Sequence, residues 1–185
     1  MSVLVAEPNP DLRADIVSIL HEAGHKVVAE VSSGSELIRE AVKRDLDILV
    51  LNVKLPGQNG FAAIKQINEQ RPVPHVIVTQ SDFLGASLGE NVSSWLAHPV
   101  KPFELISAIC VAYTHFKEVQ ELKKQNEDLR RNLAERKVIE QAKGVLMRRE
   151  KMGESQAYRH LQKRSMDLRM RMAAFAKRVI DGVDV

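Results

Sequence analysis

Four short apolar runs rich in β-branched residues, Val3–Ala6, Val27–Val31, Ile48–Leu51 and Val76–Thr79, punctuate the first part of the chain. They are too short for buried helices, so they read as strands covered on both faces. Between them Asp11–Ala23, Ser35–Lys43, Gly60–Gln70 and, with a weaker pattern, Ser81–Gly89 carry apolar residues at helical spacing. Val92–Ala97 reads as a fifth, weaker strand, and a helix begins again at Phe103. This alternation predicts an α/β domain: a doubly wound, five-stranded parallel sheet with helices on both faces. Ligands of such sheets sit beyond the carboxyl ends of the strands. Residues directly after each run are therefore the candidate functional positions.

Beyond Pro102 there is no further proline, and no glycine until Gly144. That stretch predicts one long helix. Within it Val119, Leu122, Asn126, Leu129 and Leu133 recur at a spacing of three and four, the a/d pattern of a short coiled coil. Asn126 at an a position would fix the register of a two-stranded coil. The alternative is a helix face packed on its own domain. Helical period continues through Val138, Ile139, Ala142, Val145 and Leu146 to a stop near Gly153. A second helix, Gln156 to about Lys163 with Ser155 as its cap, and a third, Met166–Ile180, complete a small three-helix unit. Met147, Met166, Met170 and Met172 are expected in its core.

The net charge of +3 hides an asymmetry. Residues 1–116 carry 9 Lys and Arg against 13 Asp and Glu, a net −4, and residues 117–185 carry 18 against 11, a net +7. A polyanion would bind the back half. No apolar run approaches the length of a membrane span, and no basic leader with a cleavage site precedes the first strand, so a cytoplasmic location is expected. The single cysteine, Cys110, is expected to be packed as a small hydrophobe.

Residues 1–116 resemble the receiver domain of bacterial response regulators. The resemblance rests on Val3–Glu7, on Asp47–Gly60 with its Leu55-Pro56-Gly57-Gln58-Asn59-Gly60 loop, on Thr79 and on Lys101-Pro102-Phe103. It implies a phosphoacceptor pocket at Glu7, Pro8, Asn52, Thr79 and Lys101, but a degenerate one. Asn52 stands where the family has its nucleophilic aspartate, and an amide cannot form an acyl phosphate. Pro8 replaces one of the two acids that hold Mg²⁺, leaving Glu7 alone. Phosphoryl transfer needs that metal and an anionic nucleophile. We therefore expect no catalytic residue, no metal and no cofactor here, and no modification by acetyl phosphate. Lys101 is expected to bridge to Glu7 or Asn52 across the old pocket. Trp95–Val100 is slightly longer than the family's usual approach to the Lys-Pro pair.

Residues 125–183 resemble the ANTAR module of AmiR- and NasR-type antiterminators, through Arg136–Met147 with its Ala142-Lys143-Gly144 core, Ala157-Tyr158, Leu161 and Ala173–Ala176. The combination with a pseudo-receiver is most similar to the NasT type. The resemblance implies a transcription antiterminator in which paired modules bind stem-loops of a nascent leader RNA and prevent a terminator from forming. It also implies a nitrate-sensing, NasS-like protein partner, nitrate or nitrite assimilation genes as targets, and a homodimer through a stalk at residues 108–136. The candidate RNA-binding residues are Arg136, Lys137, Ala142, Lys143, Gly144, Arg148, Arg149, Tyr158 and Arg159. Gly144 inside a helix costs about 1 kcal/mol against alanine, which close approach of a helix or an RNA backbone would explain. Tyr158 either stacks on a loop base or packs in the three-helix core, and the reading leans to packing. Two other readings remain open: a DNA-binding response regulator, disfavoured because no tight helix-turn-helix spacing is evident, and an adaptor that binds only proteins.

Overall fold

The computed structural model describes residues 1–80 and 94–183, in two compact units, Met1–Gln120 and Glu121–Val185. The helix expected at Ser81–Gly89 lies outside the described residues. In the first unit β1 (Ser2–Ala6), β2 (Lys26–Val31), β3 (Ile48–Leu51), β4 (His75–Thr79) and β5 (Trp95–Ala97) alternate with α1 (Pro10–Glu22), α2 (Gly34–Lys43) and α3 (Gly60–Gln70). The fifth strand is shorter than the expected 92–97, of which 92 and 93 fall outside the described residues. All pairings are parallel, in the order β2-β1-β3-β4-β5. This is the doubly wound sheet that the apolar runs predict.

Local signals place the helices. Asn9 accepts hydrogen bonds from the Asp11 and Leu12 amides and Pro10 follows at the first helical position, so α1 starts there. Ser33 caps α2 through the Glu36 amide, while Glu36 reaches back to the Ser32 amide. Asn59 caps α3 through the Phe61 amide. One apolar layer packs α2 and α3 on the sheet through Leu37, Ala41, Ala63, Ile64 and Ile67 against Leu4, Leu49 and Leu51. The other packs α1 and the start of α4 through Ile16, Leu20, Leu105, Ile109 and Ala112 against Val3, Val5, Val50, Val76 and Val78. Each Leu or Ile so buried contributes roughly 1.5–3 kcal/mol, so these layers outweigh helix propensity in setting the fold.

α4 (Pro102–Arg149) is a single helix of 48 residues. Its first turns belong to the receiver-like unit and its last to the second unit, where α5 (Glu154–Asp167) and α6 (Met172–Ile180) complete a core of Ala142, Leu146, Ala157, Leu161, Phe175, Ala176 and Val179. Several expectations need correction here. α5 starts at a Gly153 cap, so Ser155 is inside the helix and caps nothing. α5 runs to Asp167 and α6 starts only at Met172, because Arg169 turns left-handed at φ 52° and closes α5 without a glycine. Met147 and Met166 are exposed, not core; Met170 and Met172 do pack against it. Cys110 is exposed, because the buried stripe of α4 is Leu105, Ala108, Ile109 and Ala112 and Cys110 points elsewhere. Among the described residues no helix is long and apolar enough to cross a membrane.

Candidate functional site

Strand order sets the first site. β1 and β3 are neighbours paired Ala6 to Leu51, so the next residue of each, Glu7 and Asn52, emerge side by side at the carboxyl edge. Both are buried. Gly60 lets α3 begin directly behind β3: a Cβ there would lie 2.7 Å from the Asn52 carbonyl oxygen. The Asn52 side chain is bonded at both ends, with Nδ2 donating to Glu7 Oε2 at 2.8 Å and Oδ1 accepting from the Lys54 amide at 2.9 Å. Glu7 Oε1 accepts from the Asn9 amide at 3.0 Å. Pro8 sits between them in the chain and offers no oxygen on its side chain.

The expected bridge from Lys101 is absent. Lys101 bonds Glu104, one turn along α4, at 3.1 Å, and its side chain is 74% exposed. His98 occupies the pocket side instead, with Nε2 buried and 3.7 Å from Glu7 Oε2. Its backbone amide bonds the Thr79 carbonyl, which sets the imidazole at the strand end. Thr79 Oγ1 is buried there without a hydrogen-bond partner among the described residues. The sequence reading missed His98, although the rule that sites follow strand ends selects it directly after Ala97.

The second candidate site lies on the helical unit. Arg136, Lys137, Arg148, Arg149, Tyr158 and Arg159 are all exposed. Lys137, Gln141, Gly144 and Arg148 recur at a spacing of four, three and four, which aligns them along one face of α4. Among the described residues a Cβ on Gly144 would meet nothing within 4 Å, so none of the described helices packs against it. Tyr158 is exposed, against the leaning toward a packed ring: Ala157 and Leu161 take the core face of α5. Two proposed contacts are placed elsewhere. Ala142 is core. Lys143 is buried and bonded to Glu140 at 2.9 and 3.1 Å and to Glu154 at 2.7 Å. Glu154, and then Glu140, hold its amine above the ordinary lysine value, and Lys143 in turn depresses the Glu154 carboxyl.

The coiled-coil positions Leu122, Leu129 and Leu133 are 64%, 68% and 57% exposed, Asn126 is exposed and Val119 is half-buried. Among the described residues nothing covers the three leucines. An open groove beside α2 is lined by Arg13, Arg39, Arg44, Glu30, Glu36 and Glu40, whose charges cancel.

Residues 3–110 match the response regulator receiver domain and residues 127–180 the ANTAR domain. The chain is 31% identical over 182 residues to the transcriptional regulatory protein PdtaR of Mycobacterium tuberculosis, covering 97% of this chain and 89% of that one. A protein-glutamate methylesterase/protein-glutamine glutaminase of Hahella chejuensis is 34% identical, but over 46% of this chain and 24% of that enzyme. The receiver domain of the sensor histidine kinase PA1611 of Pseudomonas aeruginosa superposes with a TM-score of 0.56 at 25% identity, covering 61% of this chain and 97% of that one. That receiver holds a magnesium ion in its active-site cleft. The residues here do not fit that ion. Mg²⁺ wants several free oxygens with carboxylates among them. Here one carboxylate remains, and its oxygens and that of Asn52 already accept hydrogen bonds. Receiver and ANTAR domain together account for most of the chain, and it belongs to the response regulators that carry an ANTAR domain behind a receiver domain.

Proposed function

We propose that this protein is an RNA-binding transcription antiterminator whose receiver serves as a docking scaffold, controlled by a protein partner and not by phosphorylation. The observation that carries the reading is the ANTAR match together with the face it presents: Lys137, Gly144 and Arg148 in line on α4, with Arg136, Arg149, Tyr158 and Arg159 also exposed. The open space over Gly144 gives a nucleic-acid backbone access to the helix, and an exposed tyrosine suits an unpaired loop base. The module would bind stem-loops of a leader RNA as a pair of copies and keep a terminator from forming. The closed pocket supports control by a partner, since Asn52 and Glu7 bond each other and Lys101 faces away. A nitrate-sensing, NasS-like partner and nitrate assimilation genes rest on the NasT-type resemblance alone.

DNA binding is the competing reading, and the turn between α5 and α6 is short enough for it. α5 and α6 are joined by four residues, Leu168–Arg171, as in a helix-turn-helix. The composition of α6 argues against it instead. The first turn of a recognition helix reads base edges with polar donors and acceptors, and α6 offers Met172, Ala173 and Ala174 there. A mobility-shift titration at matched salt compares a hairpin RNA leader with the corresponding duplex DNA. Preference for the hairpin, abolished in Arg148→Ala/Arg149→Ala, supports the antiterminator. Preference for the duplex replaces it with the DNA-binding regulator.

A further inference from the structure

Lys143 lies in the most specific segment of the ANTAR module, yet it has nothing left to offer a phosphate. An ammonium has three donors. Those of Lys143 meet three carboxylate oxygens, two on Glu140 and one on Glu154, and its side chain is 9% exposed. Glu140 is one turn back on the same helix, but Glu154 is the first residue of α5. The bond at 2.7 Å therefore ties α4 to the start of α5.

That start is otherwise lightly held. Its cap, Gly153, has no side chain, and only Gln156 reaches back to the Gly153 amide. α4 and α5 bring together Ala142, Leu146, Ala157 and Leu161, all buried. The alanines allow close approach of the two helices, and apolar packing of this kind is non-directional. The ion pair adds a directional contact at the start of α5. Tyr158 is four residues beyond Glu154, on the same face of α5, and Arg159 follows it.

We propose that Lys143 is a positioning residue for RNA recognition. Through Glu154 it fixes the register of α5 on α4, and so places Tyr158 and Arg159 relative to Lys137 and Arg148, without contacting the nucleic acid itself. The inference rests on the RNA-binding reading above and assigns a role to Glu154, an acidic residue that a charge argument would count against RNA binding.

The sign of that charge makes the test. A hairpin RNA is first selected from a random-loop library on the full-length wild-type protein, and affinities are then measured across a salt series. Glu154→Gln is expected to bind about tenfold more weakly with an unchanged salt slope, because a contact geometry and not a phosphate contact is lost. Glu140→Gln, which leaves the link between α4 and α5 in place, is expected to bind as well as wild type or better. Lys143→Met should match Glu154→Gln, and Lys143→Arg should recover most of the loss. Arg148→Ala serves as the reference phosphate contact and should flatten the slope. Tighter binding by Glu154→Gln overturns the proposal, as does a flattened slope in Lys143→Met. Loss of helicity in Glu154→Gln also overturns it, since the pair would then be part of the fold alone. Failure of the wild type to select any hairpin removes the RNA reading itself, and the positioning role of Lys143 with it.

Discussion

Glu7 is buried, and the protein supplies its hydrogen bonds. The Asn9 amide serves one oxygen, the Asn52 amide the other, and the His98 imidazole stands behind. Asn52 is thus the donor that makes a buried carboxylate tolerable, besides being unable to accept phosphate. Restoring an aspartate should do harm. In Asn52→Asp two carboxylates would face each other where a 2.8 Å hydrogen bond now stands. We expect a loss of about 3 kcal/mol at neutral pH. The repulsion raises the proton affinity of the folded pair above that of the unfolded chain, so stability should return as pH falls and be lost as it rises. Melting curves at pH 5 and 7.5 test this, and equal losses at both would refute it. Acetyl phosphate should still add no mass to the variant, because Pro8 supplies no ligand for the Mg²⁺ that phosphoryl transfer needs. The chemistry of this pocket was legible at Glu7, Pro8 and Asn52, whose backbone positions the strands dictate. It was not legible at Lys101. The Lys-Pro pair identifies the loop, but a side chain with four rotatable bonds takes the nearest carboxylate, and Glu104 lies one turn away.

The same division holds for elements. Strands β1 to β4 were legible from runs of four or five apolar residues, and α4 from the absence of any breaker, since both signals act locally. The limits of α5 and α6 were not. Arg169 ends α5 in a conformation that glycine usually supplies, so no residue type marks the turn. Gly144 is the complementary case, a breaker that breaks nothing. With no described side chain within reach of its missing Cβ, Gly144→Ala should raise the melting temperature through helix propensity, by about 1 kcal/mol of stability. If a nucleic-acid backbone uses the space, the same change should weaken RNA binding. A variant more stable and equally active would remove Gly144 from the interface. β4 carries a further prediction. Burial pushes the His75 imidazole below its ordinary value, with a long contact to the Val73 carbonyl opposing it only in part. The unfolded chain then takes up the proton first. Stability is full above the ordinary histidine value and declines as pH falls from there toward the folded value. Melting temperature should drop between pH 7.5 and 5.5, and drop less in His75→Leu.

At the scale of the whole molecule, α4 has a share in both units, and its middle is where the apolar face lies bare. Leu122, Leu129 and Leu133 are more than half exposed, and helical spacing puts Val111, also exposed, on the same stripe. If the stripe pairs two copies, as the proposed function requires, the flanking charges favour one orientation. With Asn126 at an a position, Lys123, Arg130 and Lys137 fall at e and Glu118, Gln125 and Asn132 at g. An antiparallel pair would set the three cations of one copy against those of the other. A parallel pair sets e against g: Lys123 faces glutamate, and Arg130 and Lys137 face neutral amides. Parallel pairing brings two ANTAR modules to the same end, where a tandem of stem-loops would meet both. The second hairpin is then bound from the same complex, and avidity far exceeds the affinity for one. Leu122→Lys/Leu129→Lys should therefore be monomeric by light scattering. It should keep wild-type affinity for a single hairpin and lose the gain on two. A monomeric variant that still holds tandem hairpins as tightly as wild type would separate pairing from RNA recognition and leave the stripe to the partner protein.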